Sequence, residues 1–580
     1  MSEVKVSWRN NASKSKLLDD LNDEQRAVVE KTDGYVLVLA GAGAGKTRAL
    51  TYKVAYLLEQ GLAEPHNILA VTFTNKAAGE MKERIMSLVS NVGKAKWWIG
   101  TFHGICVRIL VQYGKEIGIP SFFTIADEKE QQKEMKAIIE SHPESNIEVE
   151  KLQDIISWAK NNLVRPNDLM VKNQWGVDPL IGQMYGEYQE RLQKMNTLDF
   201  DDLIMRTIDL FNLVPEVRER FQNQFKYIAC DEGQDLNPTQ YELLRILSDK
   251  HKNLTIIGDV DQNIYSWRGA SLDVVMAFSK LPETTVMKLE QNYRCTKTIV
   301  EASNEVVKKN KQRLDKTLWT ANDDGDKIIY YRADTEYEEA KFVAGVIDYC
   351  CNIKRTNDYK DFAVLYRTNS QSRVLEDELS ALFIPYQIVG GMSFYERKEV
   401  KDMLAYIRIL VNPNDILSFQ RIANEPKRGV GEVALKSIID FIHEHDISVI
   451  EALDKVEEIK KPNGKSAITA KAKEALREMN KVMKHFRGQM ATITPARLIK
   501  DYAVAIGYLP MLEADNDKER ILNVYELANM ADAWYEKADK EEFTNCLEDF
   551  VRQLNLVTDT DTVADDENVV KLMTVHTAKG

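Results

Sequence analysis

Residues 40–47 form a run of small residues that ends in Lys-Thr, and this spacing suits phosphate binding. The run reads Ala40, Gly41, Ala42, Gly43, Ala44, Gly45, Lys46 and Thr47, with Arg48 directly after it. It differs from the phosphate-loop pattern G-x-x-x-x-G-K-[ST] only at Ala40. Small residues let backbone N–H groups face phosphate oxygens, while Lys46 would reach the outer phosphates and the Thr47 hydroxyl would ligate Mg²⁺. The alternative is a glycine-rich turn with a chance Gly-Lys-Thr.

A carboxylate pair follows a second apolar segment, residues 227–230, and supplies the partner that a phosphate loop needs. Asp231 suits a Mg²⁺ contact, and Glu232 suits a general base that activates water for attack on the γ-phosphate. Gln234 lies two residues further on and is expected to face the same phosphate. A charge pair at a helix N-terminus is the alternative for Asp231-Glu232 alone. Together with the phosphate loop, the pair predicts nucleoside triphosphate hydrolysis.

A third apolar segment, residues 254–257, leads into a polar and aromatic loop. Gln262 is placed to sense a γ-phosphate, and Tyr265, Trp267 and Arg268 follow it. Aromatic side chains beside an arginine can stack unpaired bases. The alternative, that the aromatics are core residues of a short helix, has equal weight in isolation.

These motifs need strands that end at one edge of a sheet, which predicts an α/β protein. Strand, turn and helix alternate around each motif, and open parallel sheets place ligands at the carboxyl ends of their strands. The length of 580 residues suggests roughly three or four domains. A hydrophobic content of 44% and a charged content of 29% are typical of globular proteins. The net charge of −13 argues weakly against a protein coated in nucleic acid, yet leaves room for a local basic or aromatic groove.

Cellular location is predicted from the polar N-terminus and the cysteines. Residues 1–16 do not resemble a signal peptide, and no apolar run approaches the ~18 residues of a membrane span. Six cysteines show no metal-type spacing, which favours reduced thiols in a cytoplasmic protein.

The order of the motifs resembles that of the UvrD/Rep/PcrA type of superfamily 1 DNA helicases. The resemblance starts at "LNDEQRAVV" (21–29) and continues through "AVTFTNKAAGEMKERI" (70–85), "GTFHGICVRIL" (100–110), "LDFDDL" (198–203) and "LEQNYRC" (289–295). It extends through "FAVLYRTNSQSR" (362–373), "GGMSFYERKEVKD" (390–402) and "PKRGVGE" (426–432) to the end of the chain. It implies that Gln25 reads adenine, that Tyr293 stacks on adenine, and that Arg294 reaches the γ-phosphate from the second sheet domain.

The same resemblance implies a track for single-stranded DNA. Its candidate residues are Phe73, Thr74, Asn75, Thr101, Phe102, His103, Tyr265, Trp267, Arg268, Arg367, Asn369 and His576. For His103, Trp97 and Trp98, a packing role is favoured over a catalytic one.

The architecture implied is two RecA-like parallel-sheet domains of the phosphate-loop NTPase class, each with a largely helical insertion. The expected bounds are 1–112 and 191–285 for sheet domain 1A, 113–190 for insertion 1B, 286–382 and 556–580 for sheet domain 2A, and 383–555 for insertion 2B. Strands are expected at 327–333, at 361–367 and, returning to 2A, at 569–575. Because the family continues into a further arginine-bearing motif, we expect the sequence to stop inside its motif V with 2A incomplete.

The function implied is an ATP- and Mg²⁺-dependent helicase that moves 3′ to 5′ on single-stranded DNA and unwinds duplex DNA. Single-stranded DNA and single-strand/duplex junctions are the expected partners, together with loading or repair proteins. Two alternatives stay open: a translocase that strips proteins from DNA with little unwinding, and a phosphate-loop NTPase unrelated to nucleic acid.

Gly233 departs from the family, which usually has a bulky or small polar residue between the Glu and Gln of this motif. Glycine adds backbone freedom here, and this could loosen the coupling of hydrolysis to movement. We favour the view that Gly233 has no consequence, because the side chain at this position would point away.

Overall fold

The computed structural model describes residues 15–89, 96–171, 176–265, 269–310, 313–389, 397–460, 466–490, 492–515, 517–537, 547–548, 550–551 and 567–579. Strands in these ranges are β1 (Tyr35–Ala40), β2 (Ile68–Thr72), β3 (Trp98–Thr101), β4 (Thr124–Ile125), β5 (Thr197–Leu198), β6 (Tyr227–Cys230), β7 (Leu254–Gly258), β8 (Thr284–Leu289), β9 (Ala363–Tyr366), β10 (Tyr386–Ile388) and β11 (Val570–Thr574).

The α-helices in the same ranges are α1 (Asp23–Glu30), α2 (Lys46–Glu59), α3 (Asn75–Leu88), α4 (Phe102–Tyr113), α5 (Glu128–Ser141), α6 (Val149–Asn161), α7 (Pro166–Leu169), α8 (Pro179–Lys194), α9 (Phe200–Leu213), α10 (Pro215–Gln224), α11 (Pro238–Ser248), α12 (Leu272–Ser279), α13 (Lys297–Val307), α14 (Glu336–Asp348), α15 (Ser372–Ala381), α16 (Lys398–Val411), α17 (Ile416–Ile422), α18 (Glu432–His445), α19 (Val449–Asp454), α20 (Ala470–Gln489), α21 (Pro495–Ala505), α22 (Tyr508–Ala514) and α23 (Lys518–Lys537).

Six parallel strands form the first sheet, in the order β3-β2-β6-β7-β1-β8. The apolar run of β1 alternates between two cores: Leu37 and Leu39 pack on one face, and Val36 and Val38 pack on the other. Helices therefore cover both faces, as parallel strands require. The phosphate-loop strand lies between β7 and β8, so its carboxyl end opens among the ends of its neighbours.

Three parallel strands form the second sheet, in the order β10-β11-β9. The predicted return strand is confirmed as β11, with Leu572 beside Val364 of β9. The predicted α/β class with parallel sheets is confirmed. The strand predicted over 327–333 is not found: this segment pairs with no strand among the described residues, and Ile328, Ile329 and Tyr330 are exposed.

Two helical regions interrupt the sheets. Helices α5 to α8, with the short β4–β5 pair, lie between β3 and β6, whereas α16 to α23 lie between β10 and β11. Apolar residues of both regions, such as Ile138 and Leu192 of the first and Met403 and Leu410 of the second, belong to one continuous core. The two insertions therefore pack against each other.

Three of the expected domain bounds do not fit the strands and helices. The boundary at 285/286 cuts β8, which pairs with β1 and belongs to the first sheet. The boundary at 382/383 assigns β10 to the insertion, although β10 pairs with β11 of the second sheet. The boundary at 190/191 falls inside α8.

Other chain-wide features are simple. Among the described residues, no helix has the length and apolarity to cross a membrane. Five cysteines lie in the described ranges, and each of them is free of a disulfide bond.

Candidate active site

The phosphate-loop segment folds as a strand, a turn and a helix, as predicted. The turn needs left-handed backbone at two positions, Gly43 (φ 67°) and Gly45 (φ 78°), which glycine adopts without strain. Helix α2 begins at Lys46, and in the part of the chain described here no side chain caps it. Its first N–H groups are therefore available to phosphate oxygens.

Two contacts join the phosphate loop to the carboxylate pair at the end of β6. The Lys46 ammonium lies 3.0 Å from Glu232 Oε2, and the Thr47 hydroxyl donates to Asp231 Oδ2 at 3.2 Å. Burial, and then the adjacent Glu232, raise the pKa of Asp231 to about 6. Burial also opposes ionisation of Glu232, but Lys46 and the Gln234 amide outweigh it and hold the pKa of Glu232 below its usual value.

Gln234 is buried and connects two loops. Its amide nitrogen donates to Glu232 Oε2 at 2.6 Å, and its amide oxygen accepts the Asp259 N–H at 2.8 Å. Gln234 therefore holds the Glu232 carboxylate against the loop after β7. Gln262 ends the 3₁₀ turn Val260–Gln262 of that same loop.

Gln25 and Tyr293 come together through Asn22, at the N-terminus of α1. The Asn22 side chain accepts the Gln25 N–H at 2.7 Å and donates to the Tyr293 hydroxyl at 2.6 Å. Gln25 in turn donates to the Ala44 carbonyl of the phosphate loop at 3.2 Å. The two predicted adenine-binding residues thus share one small region beside the loop, with half of the Tyr293 side chain exposed.

Arg294 follows β8 and is anchored on the first sheet, which corrects its predicted position on the second. Asn292 donates to the Ala42 carbonyl at 2.7 Å, and its side-chain oxygen accepts the Arg294 N–H at 2.9 Å. The Tyr293 N–H donates to the Gly43 carbonyl at 3.0 Å. The Arg294 side chain is exposed at the mouth of the site.

The segment after β11 reaches the first sheet. Lys579 Nζ lies 2.5 and 2.7 Å from the two carboxylate oxygens of Asp235, and 4.8 Å from the Tyr265 ring centre. The Tyr265 hydroxyl donates to the His576 carbonyl at 3.2 Å, and the His576 ring lies 3.4 Å from Arg367 Nη1. Tyr265, Arg367 and His576 are thus brought together between the sheets.

The remaining candidates for nucleic-acid binding differ in how deeply their side chains are buried. Phe73 is partly buried and meets Phe102 edge-on, whereas Phe102 is 2% exposed and belongs to the core, so a base cannot stack on it. Thr74 and Thr101 cap α3 and α4 with their hydroxyls. His103 packs on Phe200, and burial lowers its pKa to about 4, so the ring is neutral at pH 7.

The other predicted positions lie at the start of a helix, at the surface, in the core or outside the described residues. Asn75 begins α3, Asn369 is exposed after β9, and Arg48 donates to the Asp20 carbonyl at 2.6 Å. Trp267 and Arg268 lie outside the described residues. Trp97 and Trp98 are buried, in agreement with the packing role.

Comparison with known proteins decides the family. A model of the UvrD/REP helicase N-terminal domain matches residues 21–283, and a model of the UvrD-like helicase C-terminal domain matches residues 287–580. The chain belongs to the UvrD-like helicase family. Its relatives include the ATP-dependent DNA helicase PcrA of Staphylococcus aureus, 42% identical over 97% of this chain and 76% of the relative. The protein of that name from Staphylococcus epidermidis is 41% identical over the same shares.

A magnesium ion fits the oxygens that this UvrD-like chain presents. Among the described residues there is no group of three or more His, Cys, Asp or Glu side chains that could hold a metal ion. Mg²⁺ needs fewer protein ligands, because it keeps several waters and takes oxygens from substrate phosphates. Asp231 and Thr47, already within 3.2 Å of each other, supply a carboxylate and a hydroxyl beside the phosphate loop.

Sequence reasoning missed three residues of this site: Asn22, Asn292 and Asp235. Asn22 had a signal, since Asn-x-x-Gln is a capping box, and both of its hydrogen bonds form. Asn292 and Asp235 had none. Their partners lie 250 and 344 residues away in the chain, and only the fold brings them together.

Proposed function

We propose that this chain is an ATP-dependent DNA helicase that moves 3′ to 5′ along single-stranded DNA and unwinds duplex DNA. One observation carries the proposal. Glu232 contacts Lys46 of the phosphate loop, and three residues further on Asp235 contacts Lys579 of the second sheet. A change in charge at the γ-phosphate can therefore be transmitted through the turn that holds Glu232 and Asp235 to both sheets. The PcrA relatives are named ATP-dependent DNA helicases, which is consistent with this arrangement.

Each residue of the site has its own proposed role in ATP hydrolysis. Mg²⁺ held by Thr47 and Asp231 would neutralise charge on the phosphates. Lys46 would move from Glu232 to the phosphate oxygens, which frees the Glu232 carboxylate to take a proton from the attacking water. Gln234 keeps that carboxylate oriented while Lys46 moves. Arg294, exposed at the mouth, would add positive charge as negative charge develops on the γ-phosphate.

The DNA track is proposed between the sheets. Tyr265, held against His576, and the nearby Arg367 supply a ring and a positive charge there. Phe73, Thr74, Asn75 and Asn369 remain candidates, together with Trp267 and Arg268. Phe102 is withdrawn because of its burial, and a neutral His103 would act without charge. Proposed partners are single-stranded DNA, single-strand/duplex junctions, and proteins that load the enzyme or act in repair.

The test is Mg²⁺-dependent ATP hydrolysis with and without single-stranded DNA, alongside unwinding of duplexes with a 3′ or a 5′ tail. We expect DNA to stimulate hydrolysis and only the 3′-tailed duplex to unwind. Lys46→Ala should abolish both activities and retain DNA binding. Displacement of streptavidin from biotinylated DNA without unwinding would favour a protein-stripping translocase. ATP hydrolysis indifferent to DNA would overturn the proposal.

A further inference from the structure

The turn that carries Glu232 is packed closely on the end of β7. Glu232 itself has left-handed backbone (φ 51°, ψ 42°), which is unusual for a residue with a side chain. The 3₁₀ turn Gly233–Asp235 follows at once and positions Gln234 against Glu232. The orientation of the proposed base therefore depends on what lies beneath this turn.

Two glycines permit the close approach. A Cβ atom on Gly258 would lie 2.5 Å from Gln234 Oε1 and 2.9 Å from the Gly233 nitrogen. A Cβ atom on Gly233 would lie 2.3 Å from Ile256 Cγ2. Real Cβ atoms do not come so near, so a side chain at either position would displace the turn or its neighbour.

Ile256 fills the space beneath Gly233. Its side chain is 1% exposed within the core of the first sheet, and its residue pairs with Cys230 at the end of β6. Because a β-branched side chain on a strand has restricted χ1 freedom, Cγ2 cannot easily turn aside. A side chain at position 233 was expected to point away and to have no consequence. It would point into the core, where its Cβ atom would meet the Ile256 methyl group.

We propose that Gly233 and Ile256 are a matched pair of positioning residues for ATP hydrolysis, in which the Ile256 methyl group supports the turn that orients Glu232 and Gln234. The pair acts through those two side chains and does not touch substrate. This inference rests on the proposed function. It also makes a specific claim: one atom, Ile256 Cγ2, decides whether position 233 accepts a side chain.

The geometry supplies a matched set of variants. Ile256→Ala removes Cγ2, and the next atoms near a Cβ on residue 233 are then Ile257 O at 3.4 Å and the residue-256 Cβ at 3.8 Å, both ordinary contacts. Ile256→Val removes only the end of the side chain and keeps Cγ2. The double variants G233A/I256A and G233A/I256V therefore differ in whether the clash remains.

The experiment measures kcat and KM for DNA-stimulated ATP hydrolysis, with melting temperatures, for the parent, the three single variants and the two double variants. Gly233→Ala should lower kcat about tenfold or more while KM changes less than about twofold, because the base is displaced and the nucleotide-binding residues are not. Relative to its Ile256 single variant, G233A/I256A should regain kcat, and G233A/I256V should not.

Each outcome of this experiment either supports or overturns the proposed pair. Parent-like kcat in Gly233→Ala, or equal losses in the two double variants, would overturn the pair. If Gly233→Ala alone does not fold, the double variants still settle the matter: an active G233A/I256A beside an unfolded or inactive G233A/I256V supports the pair, and equal behaviour overturns it. A parent chain without ATP hydrolysis would overturn the proposed function itself, whereas an active parent with independent effects would overturn only the pair.

Discussion

Glu232 owes its ionised state to neighbours from three parts of the chain. Lys46 comes from the phosphate loop, Gln234 from the turn after Glu232 itself, and Lys579 from the segment after β11. Burial alone would favour a neutral carboxyl group. A charged carboxylate in this position can accept a proton from water, provided that Lys46 is drawn away by phosphate.

Glu232→Gln should therefore separate binding from hydrolysis. The amide has nearly the same shape but cannot take a proton, so we expect a loss of about 10²-fold or more in kcat with ATP and Mg²⁺ binding retained. Stopped-flow binding of a fluorescent ATP analogue and steady-state hydrolysis measure the two. Glu242→Gln, on the outer surface of α11 beside Arg245, is the matched control and should change neither. Loss of nucleotide binding in Glu232→Gln would assign the carboxylate a structural or metal-binding role instead.

His103 should make stability fall in mild acid. Burial lowers its pKa from 6.5 to about 4, so the unfolded chain takes up a proton below pH 6.5 that the folded chain refuses until about pH 4. The stabilisation is complete above pH 6.5 and declines as the pH drops, by about 1–2 kcal/mol at pH 5. Urea unfolding at pH 7.5 and pH 5 should show a smaller difference for His103→Asn than for the parent. An identical difference in His103→Asn and in the parent would contradict this prediction.

At the level of helices and strands, Asn22 has two tasks that can be separated. As the N-cap of α1 it accepts the Gln25 N–H, and as a donor it holds the Tyr293 hydroxyl. Asn22→Ala loses both, and should cost about 1 kcal/mol of stability as well as raising KM for ATP. Asn22→Ser keeps a cap acceptor but is too short to reach the Tyr293 hydroxyl, so we expect parent-like melting with a raised KM. A parent-like KM in Asn22→Ser would show that the Tyr293 contact does not matter for ATP.

The Lys579–Asp235 ion pair is the described contact by which the turn after β11 meets the turn after β6. Both side chains are nearly buried, so removal of one leaves the other charge without compensation. Lys579→Met should lower DNA-stimulated hydrolysis more than DNA-free hydrolysis, since this contact between the sheets is lost and the phosphate loop is intact. Lys360→Met, on an exposed turn of the second sheet, is the control. Equal losses with and without DNA would mean that the pair only stabilises the fold.

Local sequence patterns predicted the strands and helices that carry the candidate site residues. They did not predict features that depend on packing between segments remote in the sequence. The starts of β1, α2, β6 and β7 followed from apolar runs and from turn residues. The 327–333 segment has the composition of a strand but has no ladder partner in the part of the chain that the structure describes, and a strand needs one. The side of the cleft that Arg294 occupies, and the contact of Gly233 with Ile256, depend on neighbours remote in sequence.

Across the full length of the chain, the two helical insertions are joined by polar contacts as well as by a shared core. Arg408 of α16 pairs with Glu130 of α5 at 2.9 Å and with Asp415 at 3.0 Å. Lys401 pairs with Asp127 at 3.1 Å, in a more exposed position. The contact surface therefore holds one buried and one surface ion pair between the same two helical regions.

These two pairs should contribute very differently to the packing of the insertions. Arg408→Met leaves two carboxylates without a cation, one of them fully buried in Asp415, and should cost about 3–5 kcal/mol. Lys401→Met breaks a partly exposed pair and should cost about 0–1 kcal/mol. Calorimetric melting of the two variants measures this contrast, with single-stranded DNA-stimulated hydrolysis as a second readout.

Hydrolysis should persist in both variants below the melting transition, because the Lys46–Glu232 site lies on the first sheet. Unwinding should fall in Arg408→Met alone if the packed arrangement of the insertions is needed to part the strands. Equal melting temperatures for the two variants would contradict the assignment of Arg408 as the residue that holds the insertions together.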